Sequence, residues 1–241
     1  MGGMTALEWP LCAPPGFVKL IIPIATSAAQ TAWGIAWSEI QRQCIYSDPL
    51  FHGGYYDPNQ QPKSGIATAP APACTSTGNP TRRLFSAQDY LDYQGSKFVR
   101  RFDANCYLHL THKMDMHDVR RGRVYKDYDP HFNDESTPPP PLATVLSGMP
   151  PPTLVVGIES DVLFLLAQQH ELAAGLPDAT LTMLKSFDGH YAFLLEFEQP
   201  NHLIIDRLKR RFPGMYEGFT ERVAEINMSH LAIGVSVSEI D

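Results

Sequence analysis

No apolar run in this chain is long enough to cross a bilayer, no two cysteines stand in a C-x-x-C pair, and no G-x-S-x-G occurs anywhere. Each absence removes something. A membrane-spanning helix needs about 20 consecutive apolar residues. Cys12, Cys44, Cys74 and Cys106 are too widely spaced for a C-x-x-C motif, and in a chain this long they fit reduced thiols of an intracellular enzyme better than a disulfide frame. Positive charge is scarce: 19 Lys and Arg against 26 Asp and Glu give a formal charge of −7, which argues against nucleic acid or an anionic membrane as partner. The one basic run, Arg207, Lys209, Arg210 and Arg211, reads as the end of an amphipathic helix, where cations meet the carbonyl end of the dipole. The first residues carry Gly2, Gly3 and Glu8 where a signal peptide would have a basic region and an apolar stretch. A cytoplasmic protein is therefore expected, with targeting left to any sequence ahead of Met1.

What remains is a globular composition, 44% hydrophobic and 19% charged over 241 residues, enough for one large domain or two small ones. The 21 prolines cluster in loops. Residues 1–12 read as a helix closed by Pro10 and "APPG". "FVKLIIPIA", Phe17 to Ala25, reads as a strand buried on both faces, as in a parallel sheet. From Thr31 to about Val124 the pattern is helical, in "TAWGIAWSEIQRQCI" and the long "SAQDYLDYQGSKFVRRFDANCYLHLTHKMDMHDV". The proline-rich breaks Ala69–Pro80 and Ser136–Pro141 interrupt that region and its exit. Sheet patterning then resumes: the strand "PTLVVGIESD", the helix "AQQHELAAGLP", the strand "ATLTMLKS", the turn "FDGH", and a closing helix "YAFLLEFEQPNHLIIDRLKRRF" with Phe193, Leu194 and Leu195 on its buried face. The expected fold is α/β, with a core of 1–31 and 142–213, a helical lid insertion of 32–141, and a tail of 214–241.

Reactive groups in open parallel sheets gather at the carboxyl ends of strands. Asp161 stands just past one strand and His190 just past the next. They suit an orienting carboxylate and a proton-moving imidazole, or equally a helix cap and a turn residue. An Asp-then-His order calls for an earlier nucleophile on a G-x-S-x-G elbow. None is present, yet "MGGM" leading a helix matches the residues that come after the serine in such an elbow, with Met1 at the fourth position and Gly2 at the last. His109, His112, Asp115 and His117 offer metal-ligand chemistry on a helix, but a solvated helix face is the better reading, so no metal site is expected. Trp33 and Trp37, four residues apart, read as packing within the helical region.

Taken together, "MGGMTALEWP", "KLIIPIATSA", "AWGIAWSEIQRQCIYSDPLFHGGYY", "YLDYQGSKFVRRFDANCYLHLT", "DMHDVRRGR", "PTLVVGIESDVLF" and "GHYAFLLE" resemble the C-terminal part of homoserine O-acetyltransferases. The resemblance runs in register through most of residues 1–200 and is nearest to the fungal branch, which includes deacetylcephalosporin C acetyltransferases. It implies an α/β-hydrolase-type parallel sheet with a helical lid. It implies no bound cofactor, acetyl-CoA as co-substrate, and homoserine as the acyl acceptor reached through an acetyl-serine. Asp161 and His190 are the catalytic pair by this resemblance, and the Met1 N–H is half of an oxyanion hole. Two positions depart from the family pattern: Pro70 replaces an arginine that grips the substrate carboxylate, and Tyr191 replaces an aspartate that meets its ammonium group. The expectation is a chain cut directly after its nucleophilic serine, inactive alone, that works as a homodimer or with a complementing N-terminal half. An acetyltransferase for another acceptor, such as deacetylcephalosporin C, is the alternative.

Overall fold

"TLVVGI" has no polar alternation, and it forms the most deeply buried strand, β1 (Thr153–Ile158), with every residue buried. The computed structural model describes residues 1–69, 93–123, 139–150 and 152–216. Pro70, Cys74, most of the two proline-rich breaks and the tail from residue 217 onward lie outside them. β1 pairs in parallel with β2 (Ala179–Leu184), in register from Thr153 opposite Ala179 to Ile158 opposite Leu184. The crossover that a parallel pair requires is a helix over Leu166–Gly175, so both strands end on the same side of the sheet.

On the other flank of β1 lies the segment 17–25, where the expected continuous strand is only partly realised. Leu154 N–H donates to the Ile21 carbonyl at 3.3 Å, Val156 N–H to that of Pro23 at 3.0 Å, and Ala25 N–H to that of Val156 at 2.9 Å. These make isolated parallel bridges at Ile21 and Ile24 and no regular ladder. Pro23 has no N–H to contribute, so regular pairing fails there. Burial is one-sided as well: Ile21, Pro23 and Ala25 are buried, Leu20, Ile22 and Ile24 are half-buried, and Phe17 is exposed.

Helix α1 (Gly2–Cys12) carries Pro10 inside its last turn and stops before Pro14 and Pro15, matching the helix read over residues 1–12. Its Leu7 is fully buried in a cluster with Ile21, Ala28, Val145, Val155 and Leu172. Helix α2 (Ala32–Tyr46) is capped by Thr31, whose Oγ1 accepts from Gly34 N–H. Helix α3 (Lys63–Thr68) follows. The long helical reading through residue 119 is broken: residues 93–99 are helical, then Asp103 takes extended backbone and caps α4 (Ala104–Asp115), its Oδ1 accepting from Cys106 N–H at 3.0 Å. These helices have their own core, with Ile45, Ile66, Ala104 and Leu108 buried against Phe98 and Tyr107. Arg42, 3% exposed, ties α2 to α4 through Asp115 at 2.6 Å.

Helix α5 (Leu142–Ser147) precedes β1, and α6 is the crossover helix Leu166–Gly175. The expected closing helix is split. A 3-10 turn at Gly189–Tyr191 leads into α7 (Ala192–Leu195), the chain bends at Glu196, and α8 (Glu198–Arg211) begins afresh. The bend decides which side is covered: Ala192 is buried and Phe193 half-buried, while Leu194 and Leu195 are exposed, against the buried face read from sequence. Residues 1–200 form one compact unit and 201–241 a second. In the second, the last turn of α8 carries Lys209, Arg210 and Arg211, with Arg210 paired to Asp206 one turn back. Among the described residues no helix is long and apolar enough to cross a membrane.

Candidate active site

The side-by-side ends of β1 and β2 bring Asp161 and His190 together. Past Ile158 the chain turns back under itself, and Asp161 Oδ1 accepts from Leu163 N–H at 2.8 Å and Phe164 N–H at 3.0 Å. Past Leu184, Ser186 Oγ donates to Asp188 Oδ2 and accepts from Asp188 N–H, closing a tight turn. Gly189 then takes φ +60°, a backbone state that an L side chain enters at a cost, and His190 follows. The two turns are stitched by Gly189 N–H donating to Ser160 Oγ at 3.2 Å.

His190 Nδ1 lies 2.8 Å from Asp161 Oδ2. The Asp161 side chain is fully buried and that of His190 is 20% exposed. Carboxylate oxygens only accept, so the imidazole proton belongs on Nδ1 and the lone pair on Nε2. No hydrogen bond among the described residues engages Nε2, which leaves it able to take and return a proton. The ring is walled by aromatics, with centroids of Phe164 at 5.3 Å, Phe193 at 5.5 Å and Tyr191 at 6.1 Å. From α2, Trp33 Nε1–H donates to the Val162 carbonyl at 2.6 Å, one residue beyond Asp161. Trp33 and Trp37 meet edge-on at 5.7 Å, in keeping with packing.

The other sequence candidates separate. Met1 caps α1 half-exposed, its carbonyl accepting from Thr5 N–H at 2.9 Å, and no hydrogen bond among the described residues joins it to Asp161 or His190. Pro70 lies outside the described residues. His109 and His112 are exposed, Asp115 is committed to Arg42, and His117 Nε2 lies 3.2 Å from the Ser27 carbonyl with Nδ1 3.8 Å from Glu8. No three potential metal ligands converge among the described residues. An open cavity of about 450 Å³ between α1 and the stretch after α4 is lined by Glu8, Cys12, His117, Arg121 and Arg123, and Asp161 and His190 take no part in it.

Sequence reasoning missed Gln169. Its side chain, 1% exposed, accepts from Ile158 N–H at 2.8 Å and donates to the carbonyls of Ile158 at 3.0 Å and Phe164 at 2.6 Å. Beside it, Gln168 Oε1 accepts from Leu165 N–H at the start of α6. Two adjacent glutamines in the first turn of a mostly apolar helix were the available signal.

Among known proteins, the chain is 34% identical over 343 residues to homoserine O-acetyltransferase of Cryptococcus neoformans var. grubii, covering 90% of this chain and 64% of that protein. It is 34% identical over 264 residues to homoserine O-acetyltransferase FUB5 of Fusarium oxysporum f. sp. lycopersici, covering 90% and 68%. The homoserine O-acetyltransferase of Staphylococcus aureus superposes with a TM-score of 0.65 at 24% identity, covering 90% of this chain and 60% of that one. No family model matches. The chain thus spans about three-fifths of the length of several such relatives, 64% of the C. neoformans protein and 60% of the Emericella nidulans one. With an α/β-hydrolase-type sheet, an Asp-His pair on adjacent strand ends and these relatives, the chain belongs to the homoserine O-acetyltransferase family.

Proposed function

We propose that this chain supplies the acid–base half of an acetyl-transfer site, for transfer from acetyl-CoA to the hydroxyl of homoserine. The observation that carries the proposal is the 2.8 Å contact between His190 Nδ1 and Asp161 Oδ2 at the ends of two paired parallel strands. A serine hydroxyl held at Nε2 gives up its proton to His190 as its oxygen attacks the acetyl carbonyl. The imidazolium, held by Asp161, returns that proton to the departing CoA thiolate. Homoserine then repeats the cycle: its hydroxyl proton passes to Nε2, its oxygen takes the acetyl group, and the serine oxygen leaves with the proton.

The nucleophile comes from polypeptide outside these 241 residues, a reading supported by the lack of any G-x-S-x-G and by the share of the relatives that the chain covers. Where that polypeptide is joined ahead of Met1, the Met1 nitrogen becomes a peptide N–H at the head of α1 and serves as one oxyanion donor, a position that suits developing negative charge. The helices of 32–141 act as the lid over the core of 1–31 and 142–213, with Trp33 on Val162 as one point of contact. The working unit is a homodimer or a complex with the missing half, in the cytoplasm. A second reading concerns the acceptor alone: Tyr191 beside the His190 ring is uncharged, which favours an alcohol without an ammonium group.

The test is a chimera joining the portion of the C. neoformans relative that this chain does not match to residues 1–241. It is expected to release CoA from acetyl-CoA in the presence of homoserine and to form O-acetylhomoserine, whereas residues 1–241 alone form none. A folded chimera that releases no CoA with any alcohol, while the intact relative does, would overturn the proposal. Faster turnover with an uncharged alcohol than with homoserine would select the second reading.

A further inference from the structure

We propose that Gln169 is a positioning residue for the Asp161–His190 pair, acting through the loop that carries Asp161. This inference rests on the proposed role of that pair. Asp161 sits on a seven-residue span, Ile158 to Phe164, between the end of β1 and the start of α6. Gln169 grips both ends of it: its carboxamide oxygen takes the Ile158 N–H, and its amide nitrogen donates to the carbonyls of Ile158 and Phe164. The loop is therefore closed by one buried side chain, fixed on the first turn of α6. Phe164 is held at its carbonyl by Gln169 and at its N–H by Asp161 Oδ1. The same residue's ring stands 5.3 Å from that of His190. A shift at Gln169 is thus delivered to the carboxylate and the imidazole together.

The fit around Gln169 is tight. A Cβ placed on Gly157 would lie 2.3 Å from its Oε1, so the strand leaves room at this point for the carboxamide and for nothing larger than hydrogen. Buried donors and acceptors that lose their partners are costly, and all three backbone groups that Gln169 satisfies lie in this loop or at its root. A side chain that only filled space would not need to match one acceptor and two donors to a strand end.

The experiment uses residues 1–241 and reads the His190 Nδ1–H proton by NMR, through its resonance and its exchange rate with water. Gln169→Met keeps the volume and removes the hydrogen bonds; Leu172→Ala, one turn along α6 in the core, removes packing of comparable worth and leaves the loop bonds alone. The expected result is a slowly exchanging Nδ1–H in the parent and in Leu172→Ala, with exchange faster by on the order of tenfold to a hundredfold in Gln169→Met. Unchanged exchange in Gln169→Met, or equal acceleration in both variants, overturns the inference. An Nδ1–H absent from the parent overturns the Asp161–His190 pair itself, and with it the proposed function. Should Gln169→Met fail to fold, Gln169→Glu, which keeps the acceptor and loses the two donated bonds, is read against the same outcomes.

Discussion

Replacing Asp161 with asparagine should invert the tautomer of His190, and the structure says by how much. Asp161 Oδ1 accepts from the N–H groups of Leu163 and Phe164, at 2.8 and 3.0 Å, while Oδ2 faces His190 Nδ1 at 2.8 Å. An asparagine must keep its oxygen on the two backbone donors. Turning the amide over would set an NH₂ against two N–H groups, at about 2 kcal/mol for each buried donor left unmet, or about 4 kcal/mol in all. That amounts to a preference on the order of 10³ for the unturned amide. The NH₂ then donates to Nδ1, which must give up its proton, and the proton moves to Nε2. His190 can no longer act as base, and in the chimera turnover should fall by about 10⁴, the size expected when a triad histidine is held in the wrong tautomer. Long-range ¹H–¹⁵N spectra of the imidazole in residues 1–241 read the tautomer directly. An Asp161→Asn protein that keeps Nδ1–H and a bare Nε2 would refute the reasoning.

Three further outcomes rest on named contacts. Asp115→Ala leaves Arg42, 3% exposed, with Glu39 as its one ion-pair partner among the described residues, the more exposed of the two, and should cost about 3 kcal/mol by chemical denaturation; pairing Arg42→Met with Asp115→Leu should recover most of it, and failure to recover would mean the pair itself stabilises. Trp33→Phe removes the bond to the Val162 carbonyl and should quicken amide exchange in the first turn of α2 by about fivefold, about 1 kcal/mol, with the melting temperature little changed; exchange equal to the parent's would show that the contact holds nothing. Burial lowers the pKa of His117 from its ordinary value, against the upward pull of the Ser27 carbonyl and of Glu8. The unfolded chain therefore takes that proton first, so its contribution is whole above about pH 6.5 and is lost as pH falls below it. His117→Gln should flatten the fall in stability between about pH 7 and 5, and an unchanged slope would contradict this.

The candidate pair was legible as a pair because its two residues sit where apolar runs stop, and the structure sets them 2.8 Å apart. "TLVVGI" is continuous enough to fix β1, and Ser160-Asp161, one residue past its end, marks the turn. His190 follows the next strand in the same way. Gln169 was not legible, since its partners are backbone groups whose positions depend on the crossover helix docking against β1. Phe17–Ala25 misled because composition reports apolarity but not the hydrogen bond that Pro23 cannot make. Leu194 and Leu195 misled because the run was read as one helix although Pro200 stands inside it: Pro200 falls in the first turn of α8, the chain bends at Glu196, and both leucines are exposed. The helix through Asp103 was broken by a capping carboxylate that reads in sequence as one more polar position.

The most direct test is mass spectrometry of the chimera after a single exposure to acetyl-CoA without acceptor. The expected result is one acetyl group added per chain within the dead time, discharged on adding homoserine, and an adduct slowed by several orders of magnitude in the His190→Ala chimera. An adduct that forms and discharges equally fast without His190 would contradict the assignment of Asp161 and His190 as the acid–base pair.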